Sequence, residues 1–569
     1  MYIVKITFKR IQEFLFAVPR LKAMIGANAL LGETIRNELV DLVGSNGANL
    51  DSYNPPGKDD DDPLTGSAHP DDPKALYGKG VLSRDGGHFH AVFKDEAAAQ
   101  GFIHQAEATI ARNLPGVRME ASVQPLNGGS SAAHGAAGQA RKFAWGESDT
   151  RLPPFQICQD TGNRVANHYR ANENPPYVSD LVTTLEARGK AFYEGKTEEI
   201  IGLLWKNNKL PSLDEDPRIP ADLSELAGAN GYIAVIHADG NAMGVRRALY
   251  AGNRDAADKD AFMTHEVKNE TFFHAMRVAV RKAVVEALNK VFTPNVLQES
   301  AKLPYQVLML GGDDLLLVTR PEYAFPFVIA YAEALKEHPI PFKDDEKRPM
   351  SIGAGIAIAS HKLPFHHLYD LAESLAGSAK KLYRAQMGDA DGAVPERSVV
   401  DWMVSTASWV DDVEQARRRH NVREADGECL CTSAKPYFVL PEEAGKGGGF
   451  DLETLFKQAR ELVGIYTSEE RDQREDRDKL ARSKMKRILH AVSQFDVQQS
   501  DDLFKNMDGL PKTLDAAFGK ESLWQELDGN RKLTRFGDFM ELVEIHYLGR
   551  KKKAQDREWM AAHNQGGDQ

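Results

Sequence analysis

Residues 305–318 read YQVLMLGGDDLLLV. Two apolar runs flank a glycine pair, the pattern of a β-hairpin with a tight turn. Gly311 and Gly312 carry no side chain, so they suit positive φ and a backbone that must be approached closely. The turn also holds Asp313 and Asp314, two carboxylates side by side. Like charges so close are costly unless a cation lies between them. Divalent ions with oxygen ligands suit such a pair, and Mg²⁺ in turn holds phosphates. Aspartate is also an ordinary, solubilising turn residue, so the pair alone leaves both readings open.

Upstream, residues 231–244 read GYIAVIHADGNAMG. The apolar run at 232–236 predicts a buried strand. It gives way to Asp239, followed by Gly240, Asn241 and Gly244. An aspartate at that place is a suitable third ligand for the same cation. Between the two motifs, Phe273, Met276, Val280, Val284 and Val291 recur at helical spacing. After the hairpin come a helix over 324–336, an apolar strand over 351–359 and a helix over 366–384. The order β-α-β-β-α-β plus a final helix is the ferredoxin-like palm plan, an α+β fold. Strands one, two and three are expected side by side, so that Asp239 meets the hairpin tip 74 positions away. The last helix carries Leu368, Leu371, Leu375 and Leu382 on one face and Ala376, Gly377 and Lys380 on another. Small residues beside a lysine leave room for a bulky anion, although a helix lysine is as often a solvated surface charge.

These motifs resemble the large subunit of type III CRISPR effector complexes, the GGDD-bearing cyclase/polymerase family. The matching stretches are ADGNAMG at 238–244, LGGDDLLLV at 310–318, SIGAGIAIASHKLP at 351–364 and LAESLAGSAKKLY at 371–383. IQEFLFAVPRLKAMIGANALLG at 11–32 is similar to the opening of the family's first palm. The resemblance implies two palms, one of them active, converting ATP into cyclic oligoadenylates in antiviral defence when a target RNA is bound. Asp239, Asp313 and Asp314 would then be catalytic and, with Gly240, form the metal site for Mg²⁺ or Mn²⁺. Asn241, Gly311, Gly312 and Lys380 would bind nucleotide, Lys380 at the triphosphate. Partners would be other effector subunits and, through them, guide and target RNA. Asn241 departs from the family, which often has a second acidic residue there. Its amide still offers a carbonyl oxygen, with one charge fewer. Two alternatives stay open: a stand-alone cyclic dinucleotide synthase, and a scaffold subunit whose palms have lost catalysis.

Residues 81–93, VLSRDGGHFHAVF, repeat the strand–Gly-Gly–strand pattern with His88 and Phe89 after the glycines. With an apolar strand at 2–8 and a helix over 97–113, this predicts a degenerate palm that holds no metal pair of the same kind. His88 and His90 alternate on one strand face, and ordinary surface or packing roles are expected for them. The resemblance implies that this palm completes the ATP pocket of the other.

Acidic residues number 83 and basic ones 71, a net charge of -12. That balance argues against a free-standing nucleic-acid binder relying on a positive surface. The basic clusters at 417–420 and 550–553 sit among acidic neighbours and are read as solvated helix faces. Cys158, Cys429 and Cys431 exclude a disulfide scaffold and fit a reducing cytoplasm. The family's zinc-binding insertion corresponds to FQICQDTGNRVANH at 155–168, where one cysteine cannot supply a four-ligand site, so no structural zinc is expected. Cys429 and Cys431 are expected as buried thiols in a β-like run. No 18-residue apolar run predicts a membrane helix or signal peptide. The chain has no His-Asp dipeptide and opens on the first palm, so the family's DNase activity is not expected.

The expected organisation is a degenerate palm over 1–150 and a linker with the zinc-type remnant over 151–229. The active palm follows over 230–400, then a connecting segment over 401–465 and a helical domain over 466–569. Residues 45–73, rich in Asp, Pro and Gly, predict a mobile surface insertion, and 127–139 another loop. The segment 468–487 predicts a long exposed helix. It leads into Met485, Ile488, Leu489 and Val492 on one stripe, with a further helix over 539–547.

Overall fold

The computed structural model describes residues 1–67, 70–84, 87–126, 141–143, 156–162, 164–171, 175–196, 200–212, 218–228, 230–252, 259–298, 300, 302–387, 394–405, 412–425, 427–445, 449–467, 482–507, 512–519, 521–527 and 530–548. The loop read at 127–139 and most of the helix read at 468–487 lie outside these residues.

The fold is α+β, with two palms and a helical C-terminal part. In the first palm, β1 (Tyr2–Lys9) leads through α1 (Ile11–Leu15) and α2 (Leu21–Glu33) to β2 (Val81–Ser83) and β3 (His88–Phe93). Then follow α3 (Glu96–Asn113), β4 (Arg118–Pro125) and β5 (Arg141–Phe143). The sheet order is β2-β3-β1-β4-β5. Alternation along β1 sends Val4, Ile6 and Phe8 into a core shared with Phe102 and Ile103 of α3. A linker helix, α4 (Asp180–Tyr193), packs on α2 where Gly26 and Gly189 let the two backbones touch.

In the second palm, β6 (Tyr232–Gly240) is followed by α5 (Met243–Ala251) and the long α6 (Lys259–Val291). The hairpin is β7 (Tyr305–Gly311) and β8 (Asp314–Thr319), and α7 (Pro321–Glu337), β9 (Ile352–Ser360) and α8 (Phe365–Ala385) complete the unit. The sheet runs on into β10 (Val399–Ser405), parallel to β9, and β11 (Tyr437–Phe438). Its order is β11-β10-β9-β6-β8-β7. Strands one, two and three lie side by side as expected, in the order β6-β8-β7. β6 pairs with β8 and β9, and β7 lies at the edge. The hairpin tip reaches Asp239 because β8, which opens with Asp314, is the strand that touches β6.

The insertion read as mobile at 45–73 is instead docked on α6. Asp71 accepts from Arg277 Nε at 2.8 Å and from Arg281 Nη2 at 2.8 Å. Asp62 accepts from Arg281 Nε at 3.0 Å and Nη2 at 2.6 Å. All four side chains are buried. Burial alone would raise the Asp71 carboxyl, but the two guanidiniums outweigh it and hold it well below the usual carboxylate range. Composition marks such a segment as polar, and only the long helix supplies the two arginines at i and i+4 that bury its charges. The same helix brings Met276 Cε to 3.6 Å from the position a Cβ on Gly312 would take.

Beyond the palms, the strands Val422–Ala425 and Glu428–Cys431 pair, and Cys431 is buried as expected. Cys429 is only half-buried, on a strand of a small four-stranded sheet. The stripe Met485, Ile488 and Val492 is buried, and Leu489 packs at its margin. No described helix is long and apolar enough to cross a membrane.

Removing one partner of a buried ion pair costs about 3–5 kcal/mol. The Asp71→Asn variant is therefore expected to free the 45–73 segment for cleavage in limited proteolysis at protease levels that spare the native chain. Unchanged protection would show that the ion network does not hold it.

Candidate active site

Antiparallel pairing sets the site. Leu315 lies opposite Ala238 and Gly353 opposite Asp239, so one step along the ladder brings Asp314 beside Asp239. Gly311 pairs with Asp314 across the turn, and Gly312 takes φ +62°. Only Gly312 needs the left-handed region; Gly311 stays in the strand with open space above it. Oxygens of Asp239, Asp313 and Asp314 lie within 4.8 Å of one another. This is the only such group of ligating side chains among the described residues. Gly240 is required by the crowding: a Cβ there would sit 2.8 Å from Asp313 Oδ2 and 2.7 Å from Met243 Cγ.

The charges are strained electrostatically. Burial, then the Asp239 charge, raise the Asp313 carboxyl to about 6. Burial also leads at Asp314, and Asp239 and Asp313 add to it, lifting that carboxyl to about 8. One cation relieves part of this load. Lys380, on α8, bonds Asp239 Oδ2 and donates to the Gly240 carbonyl at 3.1 Å. Its helix reaches the sheet because Gly355 has no Cβ, which would lie 2.0 Å from the Ala372 carbonyl. Ala376 belongs to this buried packing face rather than to an open one beside Lys380, and Leu382 is only half-buried. Gly377 does keep open space around it.

Asn241 is buried, with its backbone N–H on the Ser351 carbonyl at 2.8 Å. Its Nδ2 donates to Ser351 Oγ at 3.3 Å and to the Arg397 carbonyl at 3.2 Å. Its Oδ1 is buried without a hydrogen-bond partner. An all-oxygen donor set with raised carboxyls fits a hard divalent cation.

Two further residues line the site that the motifs did not single out. His237, two positions before Asp239 and on the same strand face, is buried edge-on to the Tyr369 ring at 5.7 Å. Tyr369 OH accepts from Gln12 Nε2 of the first palm at 2.5 Å, and the Phe16 ring lies tilted against the same ring at 4.7 Å. Period-two alternation marks His237 as facing the same way as Asp239, but nothing in the sequence pairs Gln12 with Tyr369.

In the first palm, Phe89 points into the core, while His88 Nδ1 lies 3.3 Å from Thr7 Oγ1 on the opposite sheet face. The face that carries Asp239 and Asp314 in one palm thus carries Thr7 and His88 in the other. The His88 and His90 rings lie 5.9 Å apart.

Residues 232–387 match the profile of the Cas10/Cmr2 second palm domain. Over these residues the second palm is Cas10-like. This Cas10-like palm includes every strand and helix that carries Asp239, Asp313, Asp314 and Lys380. The whole chain is similar in fold to a chain of the Csm1–Csm4 cassette in complex with cA4 (11% identity, 96% of this chain and 69% of that one, TM-score 0.45). It is likewise similar to a Csm1–Csm4 cassette with AMPPNP (12%, 84% and 64%, TM-score 0.35). Csm1 from T. onnurineus is a third such structure (11%, 97% and 70%, TM-score 0.39). No curated protein matches the sequence significantly.

A carboxyl raised on folding holds more protons folded than unfolded between about pH 4 and its folded value, so it lowers stability as pH rises through that window. The metal-free protein is expected to lose a few degrees of melting temperature between pH 6 and pH 9, and D313N/D314N to lose less. Equal slopes for the two proteins would contradict the raised carboxyls. A second measurement separates the glycines. Gly240→Ala is expected to weaken Mn²⁺ binding about tenfold or more, whereas Gly311→Ala leaves it unchanged in calorimetry without nucleotide.

Proposed function

We propose that the Cas10-like palm is a nucleotidyltransferase that converts ATP, with Mg²⁺ or Mn²⁺, into cyclic oligoadenylates as the large subunit of an RNA-guided antiviral complex. The observation that carries this reading is the gathering of Asp239, Asp313 and Asp314 within 4.8 Å beside Lys380. The product class and the guide RNA partnership follow from the resemblance of the four motifs and from the family of the second palm.

Asp239, Asp313, Asp314 and the Gly240 carbonyl would hold the cations, which supply charge neutralisation at the phosphates and activation of a 3′-hydroxyl. The chain's own residues do the rest. The turn at Gly312 brings the two adjacent carboxylates to the strand tip, and the open space over Gly311 and Gly377 admits a nucleotide to the backbone. Lys380 stands where a triphosphate would lie beside the carboxylates and stabilises the departing pyrophosphate. The 3′-oxygen of one nucleotide bonds to the α-phosphorus of the next as pyrophosphate leaves, and closure of the chain on itself gives a ring. The Gln12–Tyr369 contact supports a shared role for the first palm at this pocket.

A scaffold role is the second reading. It is favoured by Asn241, whose amide is committed to Ser351 and Arg397 and brings no charge.

The test uses the intact chain with each of the four nucleoside triphosphates and Mn²⁺, with products read by mass spectrometry. Cyclic oligoadenylate from ATP alone is expected. The D313A/D314A variant should fall by about 100-fold or more while its melting curve shows it folded. Equal product from that variant would sink the assignment, and the absence of metal-dependent ATP binding would favour the scaffold.

A further inference from the structure

Lys380 bonds the Asp239 carboxylate and donates to the Gly240 carbonyl. These are two of the oxygens to which the proposed function assigns a divalent cation. The lysine is built into that position. Its stem crosses Gly353, where a Cβ would lie 2.5 Å from Lys380 Cγ and 3.2 Å from Cε. Any larger residue at 353 would push the ammonium off the carboxylate, and any at 355 would lift the whole helix. The side chain is mostly shielded, with 17% exposure against 33% for Asp239. An ammonium held in this way offsets the carboxylate charge that would otherwise draw a metal.

An alternative seat lies close by. Asn241 Oδ1 is buried, has no hydrogen-bond partner and sits 3.2 Å from that same Cβ position. An acceptor is therefore at hand beside the lysine stem when the ammonium leaves Asp239.

We propose that Lys380 is a resident placeholder for the cation, so that the site holds free metal only weakly until an incoming triphosphate draws the ammonium away. The inference rests on the metal reading above and adds an order to it: metal and nucleotide load together, and metal alone loads poorly. Such coupling keeps the three carboxylates from being occupied in the absence of substrate. A positive charge with two acceptor sets, Asp239 with Gly240 on one side and triphosphate oxygens on the other, can exchange one for the other at little net loss.

Mn²⁺ binding to the intact chain, followed by electron paramagnetic resonance without turnover, tests this. The proteins are wild type, K380M, K380Q and K380R, each with and without a non-hydrolysable ATP analogue. Without analogue, K380M and K380Q are expected to bind Mn²⁺ about tenfold tighter than wild type, and K380R to behave like wild type. The analogue should raise the wild-type Mn²⁺ affinity about tenfold and change that of K380M little. Mn²⁺ affinity in K380M and K380Q no higher than wild type would overturn the placeholder role while leaving the metal site standing. No Mn²⁺ binding by any of the proteins, with or without analogue, would overturn the metal reading itself and this inference with it.

Discussion

Three carboxylates share one small, half-buried volume at the end of β6 and the β7–β8 turn, and their mutual repulsion is the constraint around which the second palm is arranged. Strand pairing forces Asp314 against Asp239, and the missing Cβ of Gly240 lets Asp313 close in on both. The sheet tolerates this because most of its remaining residues are buried, with α7 and α8 packed on it. A well-packed core can hold a local arrangement that is unfavourable by itself. Lys380 is the one side-chain cation bonded to the cluster among the described residues, and α8 reaches it through Gly353 and Gly355.

The first palm shows what the same topology does without that constraint. Its sheet order repeats that of the second palm, and its hairpin also turns on a positive-φ glycine, Gly87. There Phe89 fills the core and His88 meets Thr7. The two units are joined in ways that a reading of each alone does not contain. Gln12 and Phe16 lie on Tyr369, and the acidic insertion is clamped to α6 by Arg277 and Arg281. Since α6 also carries Met276 under Gly312, the insertion and the carboxylate turn rest on one helix.

Much of this was legible in the chain. The apolar alternation, the glycine pair and the helical spacing specify the strands of the second palm, α7 and α8 to within a few residues, because periodicity follows directly from which face is buried, whereas α5 and the first half of α6 carry no such signal in that reading. Asp239, Asp313, Asp314 and Lys380 stand out because charged residues at strand ends and on small-residue helix faces are seldom needed for packing. The docked insertion was not legible. Asp62 and Asp71 look like solvated acids in a polar segment, and their burial depends on arginines more than 200 positions away.

The sequence by itself determined the palm plan, the carboxylate turn and the loss of that turn's acids in the first palm, since these rest on local pattern and residue chemistry. Only the tertiary structure decided that β8 rather than β7 meets β6, that Ala376 packs inward and that Asn241 spends its amide on Ser351 and Arg397. It also decided that Lys380 sits on Asp239. Each of these depends on how deeply one element settles on another, and here that depth is set by glycines at 240, 353 and 355, whose neighbours in space are distant in the chain.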